Sequence, residues 1–119
     1  MKITIGKKEY QLEFGLKFGN EMDKRYKQKV QGGIEFGMGI NMACMYLSQM
    51  NTSVLKNIIS SALSHYKSKP SEDAIEEYIE AYADQNDGLG SLFNQLEEEL
   101  GNSKVLKATI EKFKKNAQA

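Results

Sequence analysis

From Ile34 to Met50 the chain reads IEFGMGINMACMYLSQM, and between Glu35 and Lys56 it carries no Asp, Glu, Lys or Arg. Wound as a helix at about 100° per residue, this stretch sets Met38, Met42 and Met45 on one stripe. Ile40, Ala43 and Leu47 fall on nearly the opposite stripe, and Asn41 and Ser48 are left as a narrow polar edge. A helix that is apolar almost all round is either a central core helix or a partner-binding one. Methionine suits both, because it fills irregular gaps and also lines surfaces that accept varied helical partners. The core reading is preferred, with the 38–50 segment expected to be the most buried helix. Asn41, Ser48, Gln49 and Asn51 break any run approaching about 20 apolar residues, so no membrane span is expected here.

The other elements follow from periodicity. Residues 2–5 (KITI) and 9–14 (EYQLEF) alternate apolar and polar, with Ile3, Ile5, Tyr10, Leu12 and Phe14 on the inward side. Gly6-Lys7-Lys8 between them predicts a β-hairpin, which needs a helical layer beneath it to be stable. From Leu16 to about Lys29 the recurrence of Phe18, Met22 and Tyr26 predicts a helix, and Gly32-Gly33 breaks it. A helix over 54–66 presents Val54, Leu55, Ile58, Ile59, Ala62 and Tyr66, with Thr52 or Ser53 as its cap. Pro70 marks a boundary, after which Ser71 caps a helix over 72–84 that begins with Glu72 and Asp73. Its apolar face is Ala74, Ile75, Tyr78, Ile79 and Tyr82, and Glu76, Glu77, Glu80 and Asp84 lie opposite. Leu89, Leu92, Phe93, Leu96 and Leu100 predict the next helix, ended by Gly101. Ser103 caps a last one through Lys115 with Leu106, Ile110 and Phe113 as its stripe, and the residues from Asn116 on are expected to fray. The predicted fold is mainly α: a short N-terminal β-hairpin (about 2–14) followed by five or six helices (about 16–115) packed as one small bundle. A chain of 119 residues suits one domain with one modest core.

Net charge is zero, so nothing global points to nucleic acid or an anionic membrane. Its distribution is more telling. Residues 71–103 hold ten acids and no Lys or Arg, whereas the last sixteen residues hold five Lys and one Glu. Opposed charge of this kind favours steered or self-complementary association, so a homo-oligomer is open. The lone Cys44 and the polar-alternating start after Met1 point to a reducing cytoplasm without a secretory leader.

No catalytic, cofactor or metal set emerges. His65 is the single histidine and sits at the edge of an apolar face, where a boundary role is preferred to a ligand or base. Gly32-Gly33, Gly37-Met38-Gly39 and Gly88-Leu89-Gly90 lack the strand context and Lys-Ser/Thr ending of phosphate loops. Asp84 to Gly88 resembles the start of an EF-hand loop, but Leu89 stands where glycine belongs and Gln95 where glutamate belongs. Lys24, Arg25, Lys27 and Lys29 around Tyr26 could touch nucleic acid, yet Glu21 and Asp23 interrupt them and no recognition-helix motif follows. The candidate partner-binding residues are therefore Met38, Met42, Met45, Glu76, Glu77 and Glu80, an apolar surface framed by an acidic helix.

The opening KITIGKKEYQLEFGLKFGNEMDKRY, the Gly/Met-rich GGIEFGMGINMACMYL, and KSKPSEDAIEEYIE followed by an acidic Leu/Phe helix and a Lys-rich end resemble, in that order, the tail assembly chaperones of long-tailed phages and prophages of Gram-positive bacteria. The resemblance covers essentially the whole chain and carries no catalytic signature. It implies a non-enzymatic protein without cofactors, made in the host cytoplasm and absent from the mature virion. Such a protein binds the tape-measure protein, keeps it soluble and helps recruit tail-tube subunits. It also implies a frameshifted longer form, for which Lys114-Lys115-Asn116 admits the slippery heptamer A-AAA-AAC. The alternatives are a small prophage-encoded nucleic-acid-binding regulator and a small enzyme; the first needs a basic face that survives folding, the second a polar pocket.

Overall fold

Strand β1 (Lys2–Ile5) turns through Gly6 and Lys7 into β2 (Lys8–Gln11), with Ile3 opposite Tyr10 and Ile5 opposite Lys8. Gly6 takes φ +64°, the left-handed conformation that a two-residue hairpin asks of its first central residue. The register puts Ile3, Ile5 and Tyr10 on one face, and all three are buried together with Leu12. Phe14 is half-buried and its ring packs on Phe18, centroids 4.9 Å apart. The computed structural model describes residues 1–29, 32–33 and 35–117.

Helix α1 (Leu16–Arg25) buries Phe18 and Met22 and then stops earlier than its periodicity predicts. Tyr26 is extended at φ −126° and ψ 94°. Residues 27–29, expected to be helical, form β3 (Lys27–Lys29) and pair antiparallel with β4 (Glu35–Gly37), which was expected to open the central helix. Three physical causes act together. Gly32 and Gly33 adopt φ +92° and +80°, which allows a reversal. The Met38 N–H donates to the Tyr26 carbonyl at 2.7 Å, fastening the base of the second hairpin. Glu35 faces Lys27 at 3.7 Å and Lys29 at 3.8 Å, so the two strands are also matched in charge. Ile34, the first residue of the Met-rich stretch, lies outside the described residues.

The central helix α2 (Gly39–Ser48) is shorter than expected and buries Ile40, Ala43 and Leu47. A 3-10 turn (Thr52–Val54) follows, capped by the Asn51 side chain, which accepts from the Ser53 N–H at 2.9 Å; the cap thus falls one residue ahead of the expected Thr52 or Ser53. Helix α3 (Leu55–Ala62) ends four residues early, and residues 63–65 turn away. It nevertheless buries Leu55, Ile58, Ile59, Ser61 and Ala62, so α3 and not α2 is the most enclosed helix. It packs against α1 on one side and α4 (Glu72–Gln85) on the other. Its polar side is also used: Arg25 donates to Asn57 Oδ1 at 3.0 Å and to Ser60 Oγ at 2.8 Å.

Ser71 caps α4, its hydroxyl accepting from the Ala74 N–H at 3.1 Å. Only Ile75 of this helix is fully buried, and Tyr78, Ile79 and Tyr82 are half-buried against the core. Helix α5 (Gly90–Gly101) buries Leu92, Phe93, Leu96 and Leu100 and packs on α2. Ser103 stands before the last helix, accepting from the Leu106 N–H at 3.3 Å while donating to the Phe14 carbonyl at 2.5 Å. Helix α6 (Lys107–Ala117) lies against α2 and buries Ile110. It continues through Asn116 and Ala117, where fraying was expected; Gln118 and Ala119 lie outside the described residues. The described residues thus form a mainly α fold with the N-terminal hairpin and six α-helices around one core, in which each enclosed Leu or Ile side chain stabilises by about 1.5–3 kcal/mol.

Candidate functional site

The two stripes of α2 separate as the heptad-like spacing requires. Ile40, Ala43 and Leu47 face the core, while Met38, Met42 and Met45 are half-buried on the other side. Helix α6 runs beside that second stripe without closing over it. Between the two helices lies a groove of about 680 Å³, floored by the half-buried methionines and Phe113 and edged by Asn41, Ala108, Thr109, Lys112 and Asn116. The methionines are therefore not core residues, as the preferred sequence reading had them. They are groove residues because α6 approaches from one side only. Thioether chains with three rotatable bonds can reshape such a floor to fit a seated side chain.

A smaller depression of about 230 Å³ adjoins this groove, shares Met38, Asn41 and Thr109 with it, and leads past Gly19 to Leu16. Leu16 is 72% exposed, the most exposed large apolar residue described. The apolar track thus continues from Met45 and Phe113 past Met38 to the start of α1.

The three candidate glutamates are on α4, whose main packing partners are α3 and β1, and none of them lines the methionine groove. Glu76 is held by Lys56 Nζ at 2.8 Å, and that hydrogen bond raises the Lys56 ammonium above its ordinary value. Glu77 borders a second cleft of about 680 Å³ between the first hairpin and α4, with Tyr10, Tyr78 and Tyr82 on its walls. Burial, with Tyr82 nearby, pushes the Tyr78 phenol up. Glu80 is exposed. The structure brings the methionines together and seats the glutamates on another face, so the acidic helix does not frame the methionine groove.

Spacing places Phe113 in the core stripe of the last helix, and Leu16, Thr109, Lys112 and Asn116 are not among the residues the sequence offers for partner binding. The polar residues Thr109, Lys112 and Asn116 recur at one-turn spacing on α6, a pattern that in retrospect marks a groove edge.

Other candidate chemistry resolves into structure. His65 is half-buried, with Nδ1 at 3.7 Å from Glu13 Oε2 and its ring against Tyr66. Cys44 is half-buried, and burial pushes its thiol up, an effect that Lys114 opposes and Glu97 reinforces. The basic run is matched internally: Lys24 to Glu21 at 3.1 Å, Arg25 to Asn57 and Ser60, Lys27 and Lys29 to Glu35. Among the described residues no group of three or more His, Cys, Asp or Glu side chains could hold a metal ion, and no helix is long and apolar enough to cross a membrane.

A family model described as "Phage tail assembly chaperone protein, TAC" matches residues 2–115. Comparisons with curated proteins and with solved structures return no significant match. With nearly its whole length matched, the chain belongs to the phage tail assembly chaperone family, which is not a class of enzymes.

Proposed function

We propose that this phage tail assembly chaperone binds the tape-measure protein through the groove between α2 and α6. It holds that client soluble until the tail tube encloses it, and helps recruit tail-tube subunits around it. It works in the host cytoplasm and leaves before the virion is complete. One observation supports the reading above the others: an adaptable methionine floor, open along its length, on a protein whose family serves tail assembly. A long helical protein exposes apolar stripes before it is enclosed, and a preformed groove of this kind covers them. The acidic face of α4 enters as a separate surface, with Glu77 and Glu80 steering approach from a distance and Glu76 largely committed to Lys56.

The test is co-expression with the tape-measure protein of the same genome. The wild-type chain is expected to keep the client in the soluble fraction and to co-purify with it. Met42→Glu with Met45→Glu is expected to lose both effects while keeping its helical circular dichroism. Equal solubilisation by the folded double variant would sink the groove assignment. Tail-tube protein added to the purified complex is expected to assemble, and mass spectrometry of purified virions to lack this chain.

A further inference from the structure

The groove between α2 and α6 has a shape and an edge chemistry that select among occupants. Met38 to Met45 spans about 10 Å of helix at 1.5 Å per residue, and Thr109 to Asn116 runs alongside for a similar length. The cleft therefore accepts about two helical turns, and the side depression toward Leu16 prolongs it. Both walls are helices, whose backbone groups bond within themselves. An extended segment laid there would find only side chains opposite its own N–H and C=O groups, and those groups would stay unpaired. A helix satisfies its backbone internally and needs only side-chain contacts.

Charge narrows the choice further. Lys112 edges the groove, and no acidic side chain lines it. Lys115, one turn on from Lys112, is exposed beyond the groove lining, and Glu111 stands between Ala108 and Lys115 on the outward side of α6. Asp23 lines the side depression, but its carboxylate is taken up by the Gly39 N–H at 2.8 Å. The chain's own acidic amphipathic helices α4 and α5 already commit Ile75, Leu92, Phe93, Leu96 and Leu100 to its core.

We infer that the groove receives an amphipathic helix of a partner protein, with apolar residues at one-turn spacing on the seated face and Asp or Glu along the flank that meets α6. This rests on the reading of the groove as the client site and adds the chemistry of the client segment.

The probes are two stapled helical peptides with the same leucine stripe, one flanked by Glu and one by Lys, titrated onto the full chain by fluorescence anisotropy. The Glu-flanked peptide is expected to bind at least about tenfold tighter at low ionic strength, with the gap closing as salt rises. K112E together with K115E is expected to reverse the preference, and Met42→Glu to abolish binding of both peptides. Circular dichroism and thermal melts of each variant establish that it is folded. Binding of neither peptide, equal binding of both, or a preference untouched by K112E with K115E overturns the inference. Co-purification of the tape-measure protein is read separately, so it survives or fails independently. A wild-type chain that sediments as a dimer and becomes monomeric with Met42→Glu would make the occupant a second copy, and this too overturns the inference.

Discussion

The carboxylate of Asp23, near the end of α1, accepts a hydrogen bond from the Gly39 N–H at the start of α2, 2.8 Å away. Helix α2 has no acid in its first turn and no side-chain cap of its own, so Asp23 supplies a carboxylate at its positive end from a neighbouring element. Gly39 allows the approach. A Cβ there would run into the Met22 backbone and the Asp23 amide, and one at Gly37 would meet the Asp23 side chain. The close crossing of α1 and α2 holds the methionine stripe where α6 can flank it.

Gly39→Ala is therefore expected to cost about 1–3 kcal/mol, since backbone rather than a flexible side-chain tip must move. Gly90→Ala is the control. Gly90 begins α5 with nothing within 4 Å of its would-be Cβ. Replacing it is expected to be neutral or to stabilise by about 0.4–1 kcal/mol through the unfolded chain. Asp23→Ala is expected to cost about 1 kcal/mol as a lost cap. Urea midpoints of the three variants decide, and a Gly39→Ala chain as stable as wild type would show that the crossing yields easily.

The two stripes of α2 should part company in their energetics. Leu47 is 2% exposed, and Leu47→Ala is expected to cost about 2–5 kcal/mol. Met42 is half-buried at the groove floor, and Met42→Ala is expected to cost less than about 1.5 kcal/mol while weakening the client complex. A Leu47→Ala loss below about 0.5 kcal/mol would place that side chain on a surface.

Where a buried face repeats with a clear period, the sequence made the structure legible. The first hairpin shows its alternation in Ile3, Ile5 and Tyr10, and α4 announces itself with Ser71 and the acids behind it. The second hairpin had no such mark. Every residue of β3 and β4 is exposed, Phe36 included at 52%, so no alternation could appear, and from sequence alone the glycine pair looks like a helix break and not a hairpin turn. Arg25 shows in the sequence only as one member of an interrupted basic run, because its partners, Asn57 and Ser60, lie more than thirty residues away. The candidate site was half legible for the same reason. Spacing showed that Met38, Met42 and Met45 share a stripe, but whether that stripe is core or groove depends on how far α6 covers it.

Cys44 offers a pH-dependent readout. Burial is the leading cause of its raised thiol pKa, so at neutral pH little thiolate is available and alkylation should be slower than for a free thiol. The rate should climb only as pH passes above the ordinary thiol range. The sign for stability follows: a folded pKa above the unfolded one stabilises fully below the unfolded value, and that contribution is lost as pH rises through the folded one. Iodoacetamide kinetics across this window check it, and fast labelling at neutral pH would contradict the burial.

The glutamates of α4 should divide by what they touch. Glu76 lies 2.8 Å from Lys56, whose ammonium also meets Glu72 at 3.9 Å, so Glu76→Lys sets two cations side by side and is expected to lower stability measurably. Glu77 and Glu80 have no such tie in the described ion pairs, and Glu77→Lys with Glu80→Lys is expected to leave the melting temperature nearly unchanged. If α4 steers the client, that double reversal should slow association with the tape-measure protein by about tenfold at low salt and hardly change dissociation. The effect should fade above about 0.15 M salt, where the Debye length falls below about 8 Å. Stopped-flow association at two ionic strengths separates the outcomes. A double variant that associates at the wild-type rate would remove the acidic face from the mechanism and leave recognition to the methionine groove alone.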